Sequence, residues 1–281
     1  MTLPPFDLHR ARAVDEAREL LTRYGDDGAV LCGGTELLLL LKLGFAGYGH
    51  LVDIRGIEEL GGIRADNGTL VVGATATHRE IERSPLVRER LPALAAMEHG
   101  VANLRVRNVG TLGGNLCFSD PHSDPATFLL ALDAEAEWAG KRASLREFLQ
   151  GPYETALGEG ELLHSICIPV PAAGTAVVHR KLSFHERPAA TVTCAVRLER
   201  GSVAEARVAV GSVGGRAVRA AGAETRLTGV APDDSVAVSE AAEAAAEAAG
   251  AAADANGSVA YKEQLVRVLV ERCFREAVSG L

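Results

Sequence analysis

The pattern of apolar and polar positions in the first part of the chain predicts a succession of helices and strands. Residues 11–21 place their apolar side chains on one helical face, and Gly25 follows as a stop signal. Two short apolar runs at 29–32 and 51–54 predict strands, and the segment between them is long enough for a crossover helix over 36–42. Together these elements predict a βαβ unit.

The middle of the chain carries explicit signals for helix starts. A strand is predicted over 69–74, and Thr77 with Glu80 has the Thr-x-x-Glu spacing of a capping box that opens a short helix. Ser84, followed directly by a proline, predicts the start of another helix that runs to Gly100. This region therefore predicts helices packed beside a strand.

A change of pattern near residue 171 predicts a domain boundary. The helix-start signal recurs at Asp124, and a later apolar run over 161–168 predicts a strand that is ended by two prolines. Residues 172–174 then have the composition of a linker. We therefore expect two domains, covering residues 1–171 and 176–281.

The second predicted domain combines a small sheet with helices. Its three predicted strands cover residues 176–184, 191–199 and 203–210. Gly201 suits a hairpin turn between the last two, so the sheet is predicted to be antiparallel. The Ala/Glu-rich stretch over 233–253 and a closing amphipathic helix complete the domain. The sequence His185-Glu186-Arg187 predicts a polar turn between strands.

Composition excludes several classes of protein. The chain has 281 residues, is 47% hydrophobic and carries a formal net charge of -8, which is typical of a folded protein long enough for two cores. The acidic balance argues against a nucleic-acid or anionic-membrane surface. The longest apolar run, residues 37–41, is too short to cross a membrane, and the amino terminus lacks the pattern of a secretory signal. We expect a cytoplasmic protein.

The cysteines give no sign of a metal site. They are Cys32, Cys117, Cys167, Cys194 and Cys273. Because no CxxC pair occurs among them, their spacing does not suit zinc or an iron–sulfur cluster. We expect them to be reduced and mostly buried.

Two glycine pairs are candidates for an anion-binding site. Gly33-Gly34 follows directly after a predicted strand, and Gly113-Gly114 follows a basic stretch. Paired glycines let the backbone approach a ligand closely, so that successive N–H groups converge on phosphate oxygens, and a following helix start adds its dipole. Neither loop has Rossmann or P-loop spacing, so each pair taken alone is more typical of a simple turn. The two loops together would suit a diphosphate.

The segment after the second glycine pair offers an alternative chemistry. Asp120, His122 and Asp124 stand at alternate positions and have the side-chain types of a compact metal-binding loop. Asp124 also suits the N-cap of the next helix, and no second cluster such as HExxH accompanies the loop. We therefore favour a structural role for this segment. A serine hydrolase is not supported either, because the GxSxG motif is missing from the sequence.

Four blocks of the sequence carry a resemblance to a known family. The first is Cys32-Gly-Gly-Thr-Glu-Leu-Leu-Leu-Leu-Leu-Lys-Leu-Gly44, and the second, which is the most specific, is Arg107-Asn-Val-Gly-Thr-Leu-Gly-Gly-Asn115 with its continuation to Pro125. The others are Ile166-Cys-Ile-Pro-Val-Pro171 and Tyr261-Lys-Glu-Gln-Leu-Val-Arg-Val-Leu-Val270. Together they resemble the FAD-binding medium subunit of molybdenum hydroxylases, of the carbon monoxide dehydrogenase and xanthine dehydrogenase type.

The resemblance implies a fold and a set of FAD-binding residues. The implied fold is α+β: an FAD-binding domain of two α/β subdomains (vanillyl-alcohol-oxidase/PCMH-like) precedes a C-terminal domain with a three-stranded antiparallel sheet and helices. The first diphosphate loop would comprise Leu31, Cys32, Gly33, Gly34, Thr35, Glu36 and Leu37. The second diphosphate loop would comprise Thr111, Gly113, Gly114 and Asn115.

Four further positions are implied as FAD contacts. Asp124 would meet a polar part of FAD, while Leu163 and Lys181 would lie beside the isoalloxazine ring. Val101 falls near the position at which some members of the family place an aromatic side chain against the flavin. A noncovalent flavin needs backbone donors for its diphosphate and apolar contacts for its ring, and these residue types supply both.

The resemblance also implies that the chain is one subunit of a larger oxidoreductase. FAD in this chain would pass electrons from iron–sulfur clusters on a partner to an external acceptor, and no residue here would be catalytic toward the organic substrate. A large molybdopterin-binding subunit and a small [2Fe-2S] subunit would be separate chains, in an (αβγ)2 assembly. A stand-alone FAD-dependent oxidoreductase and a scaffold that has lost its flavin remain as alternatives.

Overall fold

A computed structural model describes residues 2–184 and 187–281, so His185 and Glu186 of the predicted polar turn lie outside the described residues. The first subdomain contains strands β1 (Asp7–Arg10), β2 (Gly28–Leu31) and β3 (His50–Asp53) and helices α1 (Val14–Tyr24) and α2 (Leu37–Leu43). Short 3₁₀ turns cover Gly25–Asp27 and Glu58–Leu60. The strand order is β1-β3-β2 and both pairings are parallel. This confirms the predicted βαβ unit and adds β1 at one edge.

The second subdomain is built on an antiparallel sheet. Its strands are β4 (Ile63–Asp66), β5 (Thr69–Gly73), β6 (Glu135–Trp138), β7 (Lys141–Ser144), β8 (Leu149–Gly151), β9 (Glu154–Thr155) and β10 (Leu163–Pro169). Its helices are α3 (His78–Arg83), α4 (Pro85–Arg90), α5 (Pro92–His99), α6 (Leu104–Arg107), α7 (Leu112–Phe118), α8 (Asp124–Ala131) and α9 (Leu145–Phe148). The main sheet has the order β4-β5-β10-β6-β7, and β8 with β9 forms a separate hairpin.

Two helix boundaries differ from the sequence prediction. The helix predicted from Ser84 to Gly100 is two helices, because a second proline, Pro92, occupies the first turn of α5 and Leu91 before it adopts φ -150°. A proline disfavours helical backbone in the residue before it, so the chain turns at Leu91. At α8 the cap is Ser123, whose hydroxyl accepts a hydrogen bond from the Ala126 amide, so the predicted capping role of Asp124 is wrong.

The C-terminal half forms a sheet covered on one face by helices. Its strands are β11 (Thr175–Ser183), β12 (Pro188–Glu199), β13 (Ser202–Gly211) and β14 (Val218–Arg219), and its helices are α10 (Ala221–Leu227), α11 (Ser235–Ala248) and α12 (Val259–Ser279). The pairings follow chain order and are antiparallel, as predicted, and the described residues add the short β14 to the three predicted strands. Valine and alanine from the sheet pack against alanine from α11 and the apolar face of α12.

Helix α8 joins the two halves of the chain. All its residues are buried, and it packs against β12 and β13 of the C-terminal sheet. The Thr127 hydroxyl lies 3.0 Å from that of Thr191 across this contact. Burying large apolar side chains such as Phe128 contributes about 2 kcal/mol each. The C-terminal sheet is therefore held against the second subdomain, close to the glycine loops. Among the helices of the described residues, none has the length and apolarity to cross a membrane.

Candidate functional site

A cleft of about 460 Å³ is lined by residues from both subdomains and from the start of β12. It brings together most of the residues that the sequence identifies: Cys32, Gly33, Gly34, Thr35, Glu36, Leu37, Val101, Thr111, Gly113, Gly114, Asn115, Asp124 and Leu163. Leu31 and Lys181 are not part of the lining. Leu31 is buried behind the first loop, and Lys181 reaches the cleft through its contacts with Asp124 and with the Gly100 carbonyl.

The first glycine loop connects β2 to α2 and presents unused hydrogen-bond donors. Gly34 adopts a φ of +72°, which a glycine accepts without strain. Within the described residues, no protein acceptor binds the backbone N–H of Gly34, Thr35 or Glu36. Buried or half-buried amides require a partner, so these donors suit an anionic ligand in the cleft.

The two glycine loops touch at the base of the cleft. A Cβ atom on Gly33 would lie 2.6 Å from the Val109 carbonyl oxygen and 2.7 Å from the Gly110 Cα, so only glycine permits this approach. The Cys32 Sγ lies 3.1 Å from the Thr111 hydroxyl oxygen, which ties the loops together. One ligand can therefore contact both loops.

The backbone amides of the second loop donate hydrogen bonds to acceptors within the protein. The N–H groups of Leu112 and Gly113 donate to the carbonyls of Ala76 and Ala74, and the Gly114 N–H donates to the Thr111 hydroxyl at 3.1 Å. A Cβ on Gly113 would lie 2.5 Å from the Ala74 carbonyl oxygen, so this glycine allows α7 to pack on the end of β5. The second loop thus shapes the wall of the cleft, whereas the first loop supplies backbone N–H groups that are free to bind a ligand.

The cleft thiols are poor nucleophiles. Burial is the main reason that the pKa of Cys32 is raised above its ordinary value, and burial raises the pKa of Cys117 to about 12. Both groups are therefore protonated at neutral pH. All five cysteines are free thiols, as predicted.

Val101, at the apolar wall of the cleft, is held in place by a cluster of charged side chains around the buried Glu82. Arg107 donates to the Val101 carbonyl oxygen at 3.0 Å and to the Glu82 carboxylate at 3.2 Å. Burial alone would raise the pKa of Glu82, but His99, Arg79 and Arg107 outweigh it and lower the pKa to about 2. Leu157, Leu162 and Leu163 extend the apolar wall. Such a surface suits a planar aromatic group.

The segment after the second loop binds the C-terminal sheet rather than leaving its side chains free for a metal. The Asp120 carboxylate lies 3.1 Å from the Arg187 guanidinium, and the His122 Nδ1 lies 2.8 Å from the Pro188 carbonyl oxygen. The Asp124 carboxylate accepts from the Lys181 ammonium at 2.5 Å. Asp120 therefore meets the residue before β12, His122 meets the first residue of β12, and Asp124 meets β11, so the alternate spacing that resembles a metal loop serves contacts with the C-terminal sheet.

Asp124 is a buried carboxylate that depends on this contact. It is 5% exposed, and His179 Nε2 lies 3.5 Å from its second oxygen. Burial pushes the pKa of Asp124 upward, but His179 and Lys181 outweigh burial and leave the pKa below its ordinary value. Lys181 also donates to the Gly100 carbonyl at 2.7 Å, next to Val101. The Lys181 ammonium therefore fixes two parts of the cleft wall at once.

The sequence motifs do not identify several residues that line the cleft. These include His78, Phe118, Tyr153 and Arg187. Arg187 lies 3.3 Å from the Glu36 carboxylate, whose pKa is raised chiefly by burial and held down in part by Arg187. This ion pair joins residues 151 positions apart. Only the docking of the C-terminal sheet brings them together, so spacing along the sequence gives no signal for it.

The chain matches known families of proteins that bind FAD. A family model described as the FAD binding domain in molybdopterin dehydrogenase matches residues 4–171, and one described as the CO dehydrogenase flavoprotein C-terminal domain matches residues 180–277. The chain is 35% identical to the carbon monoxide dehydrogenase medium chain of Hydrogenophaga pseudoflava, over 99% of this chain and 98% of that protein. It is 29% identical to the putative xanthine dehydrogenase FAD-binding subunit of Escherichia coli, over 97% and 96% of the two chains.

A solved structure has the same fold. It is a carbon monoxide dehydrogenase from Hydrogenophaga pseudoflava that lacks the Mo-pyranopterin moiety of the molybdenum cofactor, and it superposes with a TM-score of 0.96 over 99% of each chain.

The fold and the cleft define a flavoprotein of the molybdenum-containing dehydrogenases. The chain belongs to the family of FAD-binding medium subunits of these enzymes, which are oxidoreductases. This confirms the family resemblance, the α+β fold class and FAD as the cofactor of the amino-terminal domain.

Proposed function

We propose that this chain is the FAD-binding electron-transfer subunit of a heteromeric molybdenum hydroxylase. Electrons pass from [2Fe-2S] clusters on a partner chain through FAD in this chain to an external acceptor. One observation carries the proposal: the free amides of the first loop and the glycines of the second loop line a single cleft with apolar walls. Membership of the family supports the same cofactor.

In this proposal each part of the cleft binds a different part of a noncovalent FAD. The amides of Gly34, Thr35 and Glu36 hold the diphosphate, and Gly33 keeps the two loops close enough to share it. The apolar wall that contains Val101 and Leu163 contacts the isoalloxazine ring. Lys181 acts through Asp124 and the Gly100 carbonyl to fix that wall, and Leu31 supports the first loop from behind.

FAD, when bound, supplies the redox chemistry, because it can take up electrons singly and give them up as a pair. The chain itself binds the cofactor, orients it and excludes water from the apolar wall. We assign no catalytic residue in this chain, since the proposed oxidation of the organic substrate takes place on a partner.

We further propose the partners and the domain organisation. A large molybdopterin-binding subunit and a small [2Fe-2S] subunit would complete a cytoplasmic (αβγ)2 assembly. Residues 1–171 would bind FAD, and residues 176–281 would form the C-terminal domain. The Hydrogenophaga relative is a medium chain, which supports large and small partners.

Co-expression with two partner subunits tests the electron route. We expect the purified complex to contain FAD, iron and molybdenum together. We also expect its flavin absorbance to be bleached anaerobically by carbon monoxide or by xanthine, the compounds that name the two relatives of this chain. The chain purified alone should bind FAD, and neither compound should bleach it.

Two results would contradict the proposal. Bleaching of the isolated flavoprotein by an organic substrate would favour the stand-alone oxidoreductase. A complex that turns over without any bound flavin would favour the scaffold.

A further inference from the structure

Arg187 is a cation in the cleft, and the function proposed above gives it no role. Among the described residues that line the cleft, it is the only lysine or arginine. Arg187 stands directly before β12, and its side chain is 50% exposed, so the guanidinium is accessible to a ligand. The permanent positive charge that the described lining offers an anion therefore comes from this side chain.

Several carboxylates line the same cleft: Glu36, Asp120, Asp124 and Glu161. Asp124 and Glu161 each pair with a lysine of their own, at 2.5 Å and 2.7 Å. Glu36 and Asp120 share one cation, since the Arg187 guanidinium lies 3.3 Å from the first carboxylate and 3.1 Å from the second. When both are ionised, two carboxylates and one guanidinium leave an excess of one negative charge.

This excess of negative charge lies beside the proposed diphosphate position. The backbone N–H of Glu36 is one of the three free amides of the first loop, and the side chain of the same residue contacts Arg187. A phosphate bound by these amides is therefore repelled by the Glu36 carboxylate and attracted by the guanidinium. The planar fork of a guanidinium also matches the geometry of phosphate oxygens.

We propose that Arg187 binds the FAD diphosphate, and that Glu36 and Asp120 compete with the diphosphate for its guanidinium. This inference rests on the proposed FAD site. It has two consequences of opposite sign. Removing the guanidinium weakens binding of a diphosphate, whereas removing a competing carboxylate strengthens it.

The test measures binding to the full-length, flavin-free chain by titration calorimetry. The ligands are FAD and ADP, because ADP carries the diphosphate without the flavin. Arg187→Met should bind both ligands about tenfold more weakly, as expected for the loss of a hydrogen bond to a charged group. Arg187→Lys keeps the charge but not the fork, so its affinity should lie between those of Arg187→Met and the wild type.

Asp120→Asn breaks the same ion pair from the other side. The Asp120 Oδ1 accepts a hydrogen bond from the His122 N–H at 2.9 Å, and asparagine keeps an oxygen for this contact while it removes the negative charge. This variant should bind FAD and ADP roughly fivefold more tightly than the wild type, because a half-exposed competing ion pair is worth up to about 1 kcal/mol. If the ion pair only held the cleft walls together, both variants would bind more weakly.

Arg180→Met is the matched control for the loss of one positive charge. Arg180 is also half-exposed and also pairs with a glutamate, but it is not part of the cleft lining. Its affinity for FAD and ADP should equal that of the wild type.

Several outcomes would overturn the inference. An Arg187→Met chain that binds ADP as tightly as the wild type overturns it. Unchanged or weaker ADP binding by Asp120→Asn does so as well, even if Arg187→Met does not fold. In these cases the wild type still binds FAD, whereas a wild-type chain that binds neither FAD nor ADP would contradict the proposed function itself.

Discussion

Replacing Gly33 with alanine is expected to weaken FAD binding by about 100-fold, because overpacking costs up to about 3 kcal/mol. The added Cβ would meet the Val109 carbonyl oxygen at 2.6 Å and the Gly110 Cα at 2.7 Å. Both are backbone atoms and cannot rotate away, so the two loops must separate. Titration of the purified chain with FAD, followed by flavin fluorescence, gives the dissociation constant.

Gly47→Ala is the matched control for this substitution. Gly47 lies in the connection between α2 and β3 and is exposed, and a Cβ there would meet no atom within 4 Å. Its FAD affinity should equal that of the wild type. Equal affinities of Gly33→Ala and the wild type would contradict the view that the contact between the loops forms the binding site.

Replacing Lys181 with methionine is expected to lower the free energy of unfolding by about 3 kcal/mol at neutral pH. The change removes the ammonium 2.5 Å from Asp124 and leaves a buried carboxylate, with His179 as its remaining ion-pair neighbour among the described residues. The pKa of Asp124 is lowered in the folded chain, so its contribution to stability is present above the ordinary carboxyl pKa and is lost as the pH falls through the lowered value. The difference in the free energy of unfolding between the variant and the wild type should therefore become smaller below about pH 4. Urea denaturation at several pH values measures this difference.

Arg180→Met provides the comparison on the same strand. Arg180 pairs with Glu276, but the two side chains are 53% and 44% exposed. Exposed ion pairs contribute at most about 1 kcal/mol, so this variant should be nearly as stable as the wild type. A Lys181→Met chain as stable as Arg180→Met would show that Asp124 does not depend on Lys181.

The sequence predicts elements well where their signals are local. The βαβ unit follows from two apolar runs and a leucine-rich segment, and the capping box of Thr77 and Glu80 is present as predicted. The closing helix buries Val266, Val270 and Phe274, which its spacing places on one face. In each case the residues that determine the element lie within a few positions of each other, so their spacing along the sequence is enough to predict it.

Long-range contacts account for what the sequence does not predict. Gly113 resembles a phosphate-binding glycine in sequence, but in the structure its amide serves Ala74, an interaction that depends on how α7 meets the sheet. The sequence shows that Asp120, His122 and Asp124 stand at alternate positions, but it does not show their partners, which come from β11, from β12 and from the residue before β12. Strand β1 is short and three of its four residues are polar, so it has no apolar run to identify it.

Residue-specific amide exchange with and without FAD tests the central claim most directly. Without FAD, the amides of Gly34, Thr35 and Glu36 should exchange quickly, while those of Leu112 and Gly113 should already be slow because protein carbonyls bind them. Saturating FAD should slow the first group strongly and change the second little. Bound FAD that leaves the exchange of the Gly34, Thr35 and Glu36 amides unchanged would show that its diphosphate lies elsewhere.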